Sequence, residues 1–207
     1  MAKPTKQYIA EKALLLFNER GYASVRLQHI ADAAFVSVGH LAYHFQNKEG
    51  LLDHLFELMS NEKQRILLEH KVLPLFEDIQ QLWVDLFQHQ QQYRFFYTDA
   101  LEVIRGNAEM APRYAEQASW QVVQYDMMIR FNVARAALHV PEHQIVRLAQ
   151  QLQHYHDSAL TTQLLHLGTI DPKRYYQNAW FLLEPWFSDT GKLEFNQGPG
   201  REFSTTR

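Results

Sequence analysis

The residues best suited to contact another molecule lie close together in the stretch 37–48. His40 and Tyr43 could approach base edges or sugars of DNA, whereas His44 and Lys48 could meet phosphates. Lys48 is also expected in the first turn of a helix, where backbone N–H groups attract phosphate. His40 and His44 have the i, i+4 spacing of a metal pair, but no acid or third His is suitably placed nearby in the sequence. These residue types therefore suit contact with DNA better than a metal site, and we predict no metal site.

Two short helices and a turn are expected to hold these side chains. Leu27, Ile30 and Ala34 recur at helical spacing and give the first helix an apolar stripe. Ser37 is a good N-cap for the second helix, which covers 38–44 and is too short to be stable alone. A short exposed helix held by the one before it is the helix-turn-helix arrangement, whose second helix lies in the major groove.

Four more residues complete the predicted DNA-binding surface. Ser37 and Val38 begin the reading helix, and Arg26 and Gln28 stand at the start of the preceding helix as candidates for a phosphate or base contact. The alternative is that all of these are ordinary surface and packing residues. The full predicted set is Arg26, Gln28, Ser37, Val38, His40, Tyr43, His44 and Lys48.

At these residues the chain resembles the N-terminal DNA-binding domain of the TetR family of bacterial transcriptional regulators. The resemblance runs from about Ile9 to Leu55, through ALLLFNERGY, IADAAFVSVGHL and YHFQNKEGLL in the family's order and spacing. Two positions differ: Phe35 stands where relatives usually have Gly, and Ala42 where they often have Tyr. If the turn needs a positive φ, Phe35 is expected to be strained there, because only Gly adopts such angles freely.

The resemblance implies an all-α protein with an N-terminal three-helix helix-turn-helix domain and a larger helical domain that binds an effector and dimerises. Helical periodicity and the absence of strand-like alternation agree with this fold class. We predict a DNA-binding domain over 1–48, a linking helix over 48–70, a second domain over 71–190 and a flexible tail over 191–207, which is rich in Gly, Ser and Thr.

The predicted second domain concentrates aromatic residues, most of which are expected to be core. The resemblance implies a cavity between these helices, and polar residues within the apolar stripes would orient a small apolar or aromatic effector there. The residues predicted to contact that effector are Trp83, Phe87, Phe96, Asp99, Trp120, Arg130, His156 and Gln163.

A homodimer is expected, because two reading helices on a two-fold axis would recognise a palindrome. The predicted seam lies on helices over 153–167 and 172–184, although the same apolar stripe could be internal core. Its members are Leu160, Leu164, Leu167, Ala179 and Leu183.

Composition and motifs narrow the class of protein. The formal net charge is −3, yet residues 1–48 hold six Lys and Arg against three Asp and Glu. The N-terminal segment is therefore basic and the rest of the chain acidic, as suits a protein that binds phosphates at one end. Cys is absent, which excludes disulfides and thiolate sites. No signal peptide or membrane-length apolar run is visible, so we expect a cytoplasmic protein. No GxSxG, P-loop, GxGxxG or HExxH motif occurs, and we expect neither an enzyme nor a cofactor.

The sequence therefore predicts a DNA-binding transcriptional regulator, usually a repressor in the family it resembles. It would bind a palindromic double-stranded operator as a dimer and be released by a small-molecule effector. The alternative is a helical small-molecule-binding protein or enzyme whose head has lost DNA binding. Specific DNA retention that falls steeply with salt distinguishes the two.

Overall fold

The computed structural model of the chain describes residues 5–70 and 74–204. Residues 1–4 of the predicted DNA-binding domain, 71–73 at the start of the predicted second domain and 205–207 of the predicted tail lie outside them. In the described residues all regular structure is helical, apart from one isolated bridge between Leu138 and Phe187. The predicted all-α fold class is confirmed.

Twelve α-helices and one short 3₁₀ segment, Glu184–Trp186, lie in this part of the chain. The helices are α1 (Lys6–Arg20), α2 (Leu27–Ala33), α3 (Val38–His44), α4 (Lys48–Glu69), α5 (Phe76–Gln92), α6 (Phe95–Thr98), α7 (Ala100–Gly106), α8 (Met110–Ala134), α9 (Glu142–Leu167), α10 (Pro172–Leu183), α11 (Asp189–Gln197) and α12 (Gly200–Ser204). None of the described helices is long and apolar enough to cross a membrane.

Side-chain caps set the starts of the N-terminal helices. Thr5, Ser37 and Asn47 each accept a backbone N–H from the first turn of the helix that follows. Gly21 ends α1 with a φ of 79°, an angle that favours glycine. The predicted cap at Ser37 is thus confirmed, and α4 begins at Lys48 as the sequence predicts.

The chain forms two compact units. The first contains residues up to 62 together with 91–113, and the second contains 63–90 and the residues from 114 onward. This division differs from the predicted boundaries at 48 and 71, because α6 and α7 pack within the first unit. The Phe95 ring lies 5.0 Å from the ring of Phe17 on α1, measured between centroids.

The second unit has one large aromatic core. The fully buried rings of Phe76, Trp83, Tyr125 and Trp180 belong to it, and they come from α5, α8 and α10. Aliphatic residues of α9, such as Leu152, close the same cluster. Burial of this apolar area is what holds the helices together, since isolated helices of this length are marginal in water.

The prediction of a flexible tail from 191 is wrong for the described part of that segment, which forms α11 and α12. Glu194 on α11 receives two hydrogen bonds from the Arg135 guanidinium, at 2.6 and 2.9 Å. The Phe195 ring lies 5.1 Å from that of Trp180 in the core. Gly191 is required by close packing, because a Cβ there would lie 2.2 Å from the carbonyl oxygen of Ala137.

Candidate functional site

The turn between α2 and α3 is closed by backbone hydrogen bonds, among them Val36 N–H to Ala31 O at 2.9 Å. Phe35 occupies this turn with a φ of 55°, in the left-handed region. The expectation that Phe35 would be strained if the turn needs a positive φ is therefore met. Its side chain is 88% exposed, so the ring gains no burial that would offset the strained backbone.

Helix α3 is fixed from its inner side. Leu41 is fully buried and Phe45, just after the helix, is nearly so. The opposite face carries small residues, Gly39 and Ala42, beside one large aromatic, Tyr43, which is 83% exposed. A seven-residue helix that keeps its outer face free has the geometry needed to lie in a DNA groove.

His40 and His44 lie next to each other on α3, with ring centroids 5.1 Å apart. Both rings are half-buried, and Nε2 of His40 has no partner among the described residues. The Tyr43 ring lies 5.2 Å from that of His44. In the described part of the chain no group of three or more His, Cys, Asp or Glu side chains is arranged to hold a metal ion.

The remaining DNA-binding candidates differ in how free they are. Arg26 is exposed at the start of α2, and the exposed Gln28 donates to Asp32 at 2.7 Å. The Lys48 ammonium donates to the carbonyl oxygen of Tyr22 and lies 4.0 Å from the centroid of its ring. Burial lowers the pKa of Lys48. Because an ammonium has three donors, a phosphate contact would have to share this group with Tyr22.

Sequence reasoning missed one cation near the reading helix. The Nζ of Lys6, at the start of α1, lies 5.2 Å from the centroid of the Phe45 ring. Nothing in the periodicity of α1 indicates this contact, since it joins residues far apart in the chain. It places a positive charge close to the end of α3.

The predicted effector-binding residues do not form one group. Phe96 and Asp99 belong to the first unit. The Asp99 carboxylate accepts the Tyr22 backbone N–H at 2.8 Å and the Thr98 hydroxyl at 3.0 Å. Asp99 therefore orders the first unit, and we remove it and Phe96 from the proposed effector site.

Two other predicted effector contacts, Arg130 and Gln163, already bind partners within the chain. The Arg130 guanidinium pairs with Asp126 at 2.7 Å and Glu142 at 2.5 Å, and these two carboxylates raise its pKa. Gln163 Oε1 accepts the Asp171 backbone N–H at 2.7 Å, which ties the end of α9 to the start of α10. Both residues therefore have structural roles that the sequence does not reveal.

Phe87 and Trp120 occupy different parts of the second unit. Phe87 is buried and its ring lies 5.1 Å from that of Tyr175, in a small cluster of its own. Trp120 is half-buried and packs against the main core. Tyr175 links Phe87 to His156, since its ring also lies 5.4 Å from that of His156. The core against which Trp120 packs includes Trp83.

Trp83 and His156 do lie together, in a buried group that we name the Trp83 cluster: Trp83, Gln121, Tyr125 and His156. The Trp83 and His156 rings have centroids 4.6 Å apart. Gln121 Nε2 donates to the Tyr125 hydroxyl at 2.7 Å, and that hydroxyl lies 2.6 Å from His156 Nδ1. Burial, and secondarily the charge of Lys63, lower the pKa of His156 to about 3.

A buried lysine that pairs with a partly exposed carboxylate lies beside this cluster. Lys63 is 1% exposed and its Nζ lies 3.6 Å from a carboxylate oxygen of Asp157. Gln153 donates to the same carboxylate. Burial lowers the pKa of Lys63, while Asp157 opposes that effect. Neither Lys63 nor the Gln121–Tyr125 pair was predicted, because helical periodicity alone does not show which polar residues turn inward.

A cleft of about 190 Å³ opens in the second unit. Tyr125 forms part of its wall together with apolar residues, among them Leu67, Leu82 and Met128. His70 lines it as well and bonds Asp85 at 2.8 Å. Since Tyr125 also belongs to the Trp83 cluster, the cleft and the cluster adjoin at this residue.

The predicted dimer seam needs a correction. Leu160, Ala179 and Leu183 are fully buried within the single chain, so they cannot meet a partner. Leu164 is half-buried and Leu167 is 43% exposed. The outer surface of α9 and α10 instead presents Leu165, 78% exposed, and Phe181, 69% exposed.

Two family models match the chain. The model described as "Bacterial regulatory proteins, tetR family" matches residues 9–55, and the model described as "Bacterial transcriptional repressor" matches residues 49–195. The first of these ranges contains α2, the turn and α3, and the second contains the Trp83 cluster.

Curated relatives match over part of their length. The probable HTH-type transcriptional regulator YttP of Bacillus subtilis is 32% identical over 98 residues, which are 45% of this chain and 47% of that protein. The HTH-type transcriptional regulator AcrR of Shigella flexneri is 36% identical over 70 residues, 34% of this chain and 33% of that protein. The chain thus spans less than half of the length of these relatives.

Solved structures share the fold at low identity. A crystal structure of a TetR-family transcriptional regulator from Marinobacter aquaeolei has a TM-score of 0.83 at 19% identity, covering 94% of this chain and 99% of that one. A gamma-butyrolactone receptor described as an ArpA-like protein has a TM-score of 0.71 at 18% identity and covers 96% of each chain.

Proposed function

This chain belongs to the TetR family of bacterial transcriptional regulators, and we propose that it binds a palindromic operator as a homodimer and leaves it when a small molecule occupies the second unit. The observation that carries the proposal is the geometry of α3. Its buried side fixes the helix on the first unit, and its exposed side carries Tyr43 beside small residues. We assign base or sugar contacts to His40 and Tyr43.

The proposed phosphate contacts surround that helix. Arg26 is exposed at the start of α2, Lys6 lies near the end of α3, and His44 is half-buried on α3 itself. Lys48 would use the donors that its bond to Tyr22 leaves over. Such contacts position the protein on the duplex without reading its sequence.

A second copy of the chain is the proposed partner at the outer surface of α9 and α10. Leu165 and Phe181 are large apolar side chains exposed on two neighbouring helices, and they replace the buried residues of the predicted seam. One short reading helix covers only a few base pairs, so two copies on a two-fold axis are needed to read a long site.

Coupling between effector and DNA is proposed to run through the segment 91–113 as well as through α4. The side-chain amide of Asn18 on α1 donates to Gln92 O at 2.7 Å, and its side-chain oxygen accepts the Phe95 backbone N–H at 3.0 Å. The backbone carbonyl oxygen of Asn18 accepts from Arg94 at 2.6 Å. The chain passes from one unit to the other within α4, α5 and α8. A ligand that displaced α5 or α8 in the second unit would therefore also move the ends of these helices that belong to the first unit.

The test of this function is selection from a duplex library of random sequence. The wild-type chain should enrich one two-fold symmetric sequence with half-sites about one helical turn or more apart. Recovery of asymmetric sequences, or of no preferred sequence at low salt, would argue for the alternative of a helical binding protein that has lost DNA recognition.

The Tyr43→Ala variant sharpens the selection. It should lose about 1–3 kcal/mol of binding free energy on the selected operator and much less on random DNA, if a base contact is lost. Leu101→Ala is the matched control, since Leu101 is 67% exposed in the same unit but lies on α7. Equal losses for the two variants would remove Tyr43 from the reading surface.

A further inference from the structure

Three side chains of the Trp83 cluster keep a buried polar atom without a partner among the described residues. These atoms are Nε1 of Trp83, Nε2 of His156 and Oε1 of Gln121. All three side chains are fully buried. Since buried donors and acceptors are normally paired, and leaving one unpaired destabilises the fold, three in one connected group point to a bound polar partner.

The hydrogen-bond chain decides which of these atoms donate. Gln121 Nε2 donates to the Tyr125 hydroxyl, so the hydroxyl proton is directed at His156 Nδ1. His156 is neutral because its pKa is lowered, and its own proton therefore resides on Nε2. The cluster thus offers two N–H donors, from Trp83 and His156, and one carbonyl acceptor, from Gln121.

The charges around the cluster argue against an ionic ligand. The Lys63 ammonium is already paired with the Asp157 carboxylate at 3.6 Å. A carboxylate or an ammonium on the ligand would be buried beside neutral groups without a counter-charge of its own, which is strongly unfavourable. A carbonyl oxygen, by contrast, accepts two N–H groups without bringing charge.

The surroundings of the cluster suit a flat apolar body. The Trp83 and Tyr125 rings lie edge to face with centroids 5.8 Å apart. The adjoining cleft of about 190 Å³ has Tyr125 in its wall and is otherwise mainly apolar. A cavity of about 150 Å³ holds benzene, so a body of one aromatic ring with a small head group fits this space.

We infer that the Trp83 cluster is the recognition end of an effector site for an uncharged aromatic compound that carries a carbonyl oxygen. The carbonyl accepts the N–H groups of Trp83 and His156, and the ring lies against Tyr125 toward the cleft. This inference rests on the proposed function, because it gives the chemistry of the ligand that occupies the second unit.

The test compares three probes of similar shape on the 207-residue chain near neutral pH. They are acetophenone, which has the carbonyl, ethylbenzene, which lacks it, and benzoate, which is charged. Binding is followed by the indole ¹H–¹⁵N signal of Trp83, assigned by its loss in Trp83→Phe. Acetophenone should bind about tenfold more tightly than either other probe, as hydrogen bonds to a buried donor predict. It should move the Trp83 signal.

Two variants and a matched control locate the effect. Trp83→Phe and His156→Phe should each lower the affinity for acetophenone several-fold and leave that for ethylbenzene within about threefold. Trp180→Phe is the control, because Trp180 is equally buried in the same core but its Nε1 already donates to Gln80 at 2.7 Å. It should keep the preference for acetophenone, and thermal melting verifies that each variant is folded.

Several results would overturn the inference. Equal affinities for acetophenone and ethylbenzene would show that the carbonyl is not recognised, and tighter binding of benzoate would contradict the uncharged class. Absence of binding by all three probes at millimolar concentration would mean that the cluster is closed to ligands. Operator binding measured on the same preparations keeps the two proposals apart. If the wild-type chain binds the probes selectively but does not bind operator, the proposed function alone is contradicted. If it binds operator but shows no probe selectivity, this inference alone is contradicted.

Discussion

Phe35 combines a strained backbone with an exposed ring. Its φ of 55° destabilises the folded state by about 1–2 kcal/mol for a non-glycine residue. Gly would relieve this strain, but its more flexible unfolded chain would offset about 0.5–1 kcal/mol of the gain. We expect Phe35→Gly to raise the free energy of unfolding by about 0.5–1 kcal/mol in urea titrations. Phe35→Ala keeps the Cβ and removes only the exposed ring, so it should change that free energy by less than about 0.5 kcal/mol. The same result for both variants would contradict the assignment of strain.

His156 should make stability depend on pH. Its pKa is about 3 in the native chain, against 6.5 for an ordinary histidine, because burial disfavours the charged ring. As the pH falls from about 6.5 toward 3, the unfolded chain takes up a proton here and the native chain does not, so the free energy of unfolding falls. In urea titrations at several pH values across this range, His156→Phe should lose stability less steeply than the wild type. Trp180→Phe, which replaces an equally buried ring that does not titrate, should keep the wild-type slope. Parallel slopes for all three proteins would contradict the buried neutral state.

At the scale of elements, α1 and the segment 91–113 form a connection centred on Asn18. We expect Asn18→Ala to reduce the factor by which a ligand, found by its stabilising effect in thermal melts, weakens operator binding. A typical allosteric coupling is about 1–3 kcal/mol, and operator must weaken ligand binding by the same factor. The control is Gln7→Ala, which breaks an exposed bond to Glu11 within α1. Unchanged coupling in Asn18→Ala would assign the transmission to α4 alone.

Helix boundaries were predictable wherever a local signal sets them. Ser37, Gly168 and Asp171 act as caps or stops within a few residues of their own helix, so the sequence alone indicates α3, the end of α9 and the start of α10. The packing of α6 and α7 within the first unit was not predictable, because it depends on contacts such as that between Asn18 and Phe95, which are 77 residues apart.

The helices of the C-terminal segment and the Trp83 cluster escaped prediction for the same reason. Gly191 and Gly198 resemble linker residues in sequence, yet α11 is held by Glu194 on Arg135, 59 residues away. Gln121 and Tyr125 show only i, i+4 spacing, and their burial follows from the tertiary packing of α8. Inward polar residues cannot be told from outward ones by composition, which is why Asp99 and Arg130 were expected near a ligand and are engaged elsewhere.

At the scale of the whole molecule, we expect a dimer of about 49 kDa by light scattering at micromolar concentration, twice the 24.4 kDa of one chain. Phe181→Glu should give a monomer, because a carboxylate in an apolar seam is not compensated. Leu193→Glu is the control, since Leu193 is 59% exposed on α11. A wild-type monomer, or a dimer that survives Phe181→Glu, would contradict the placement of the seam.

The central claim is that the exposed face of α3 reads DNA. The most direct measurement is a fluorescence-anisotropy titration of the wild type and Tyr43→Ala against the selected operator and a scrambled duplex, at several salt concentrations. We predict that the wild type prefers the operator by a factor of about 10³ or more and that affinity for both duplexes falls steeply with salt. Tyr43→Ala should weaken binding to the operator and leave the affinity for the scrambled duplex nearly unchanged. Equal wild-type affinity for the two duplexes at every salt concentration would contradict the account.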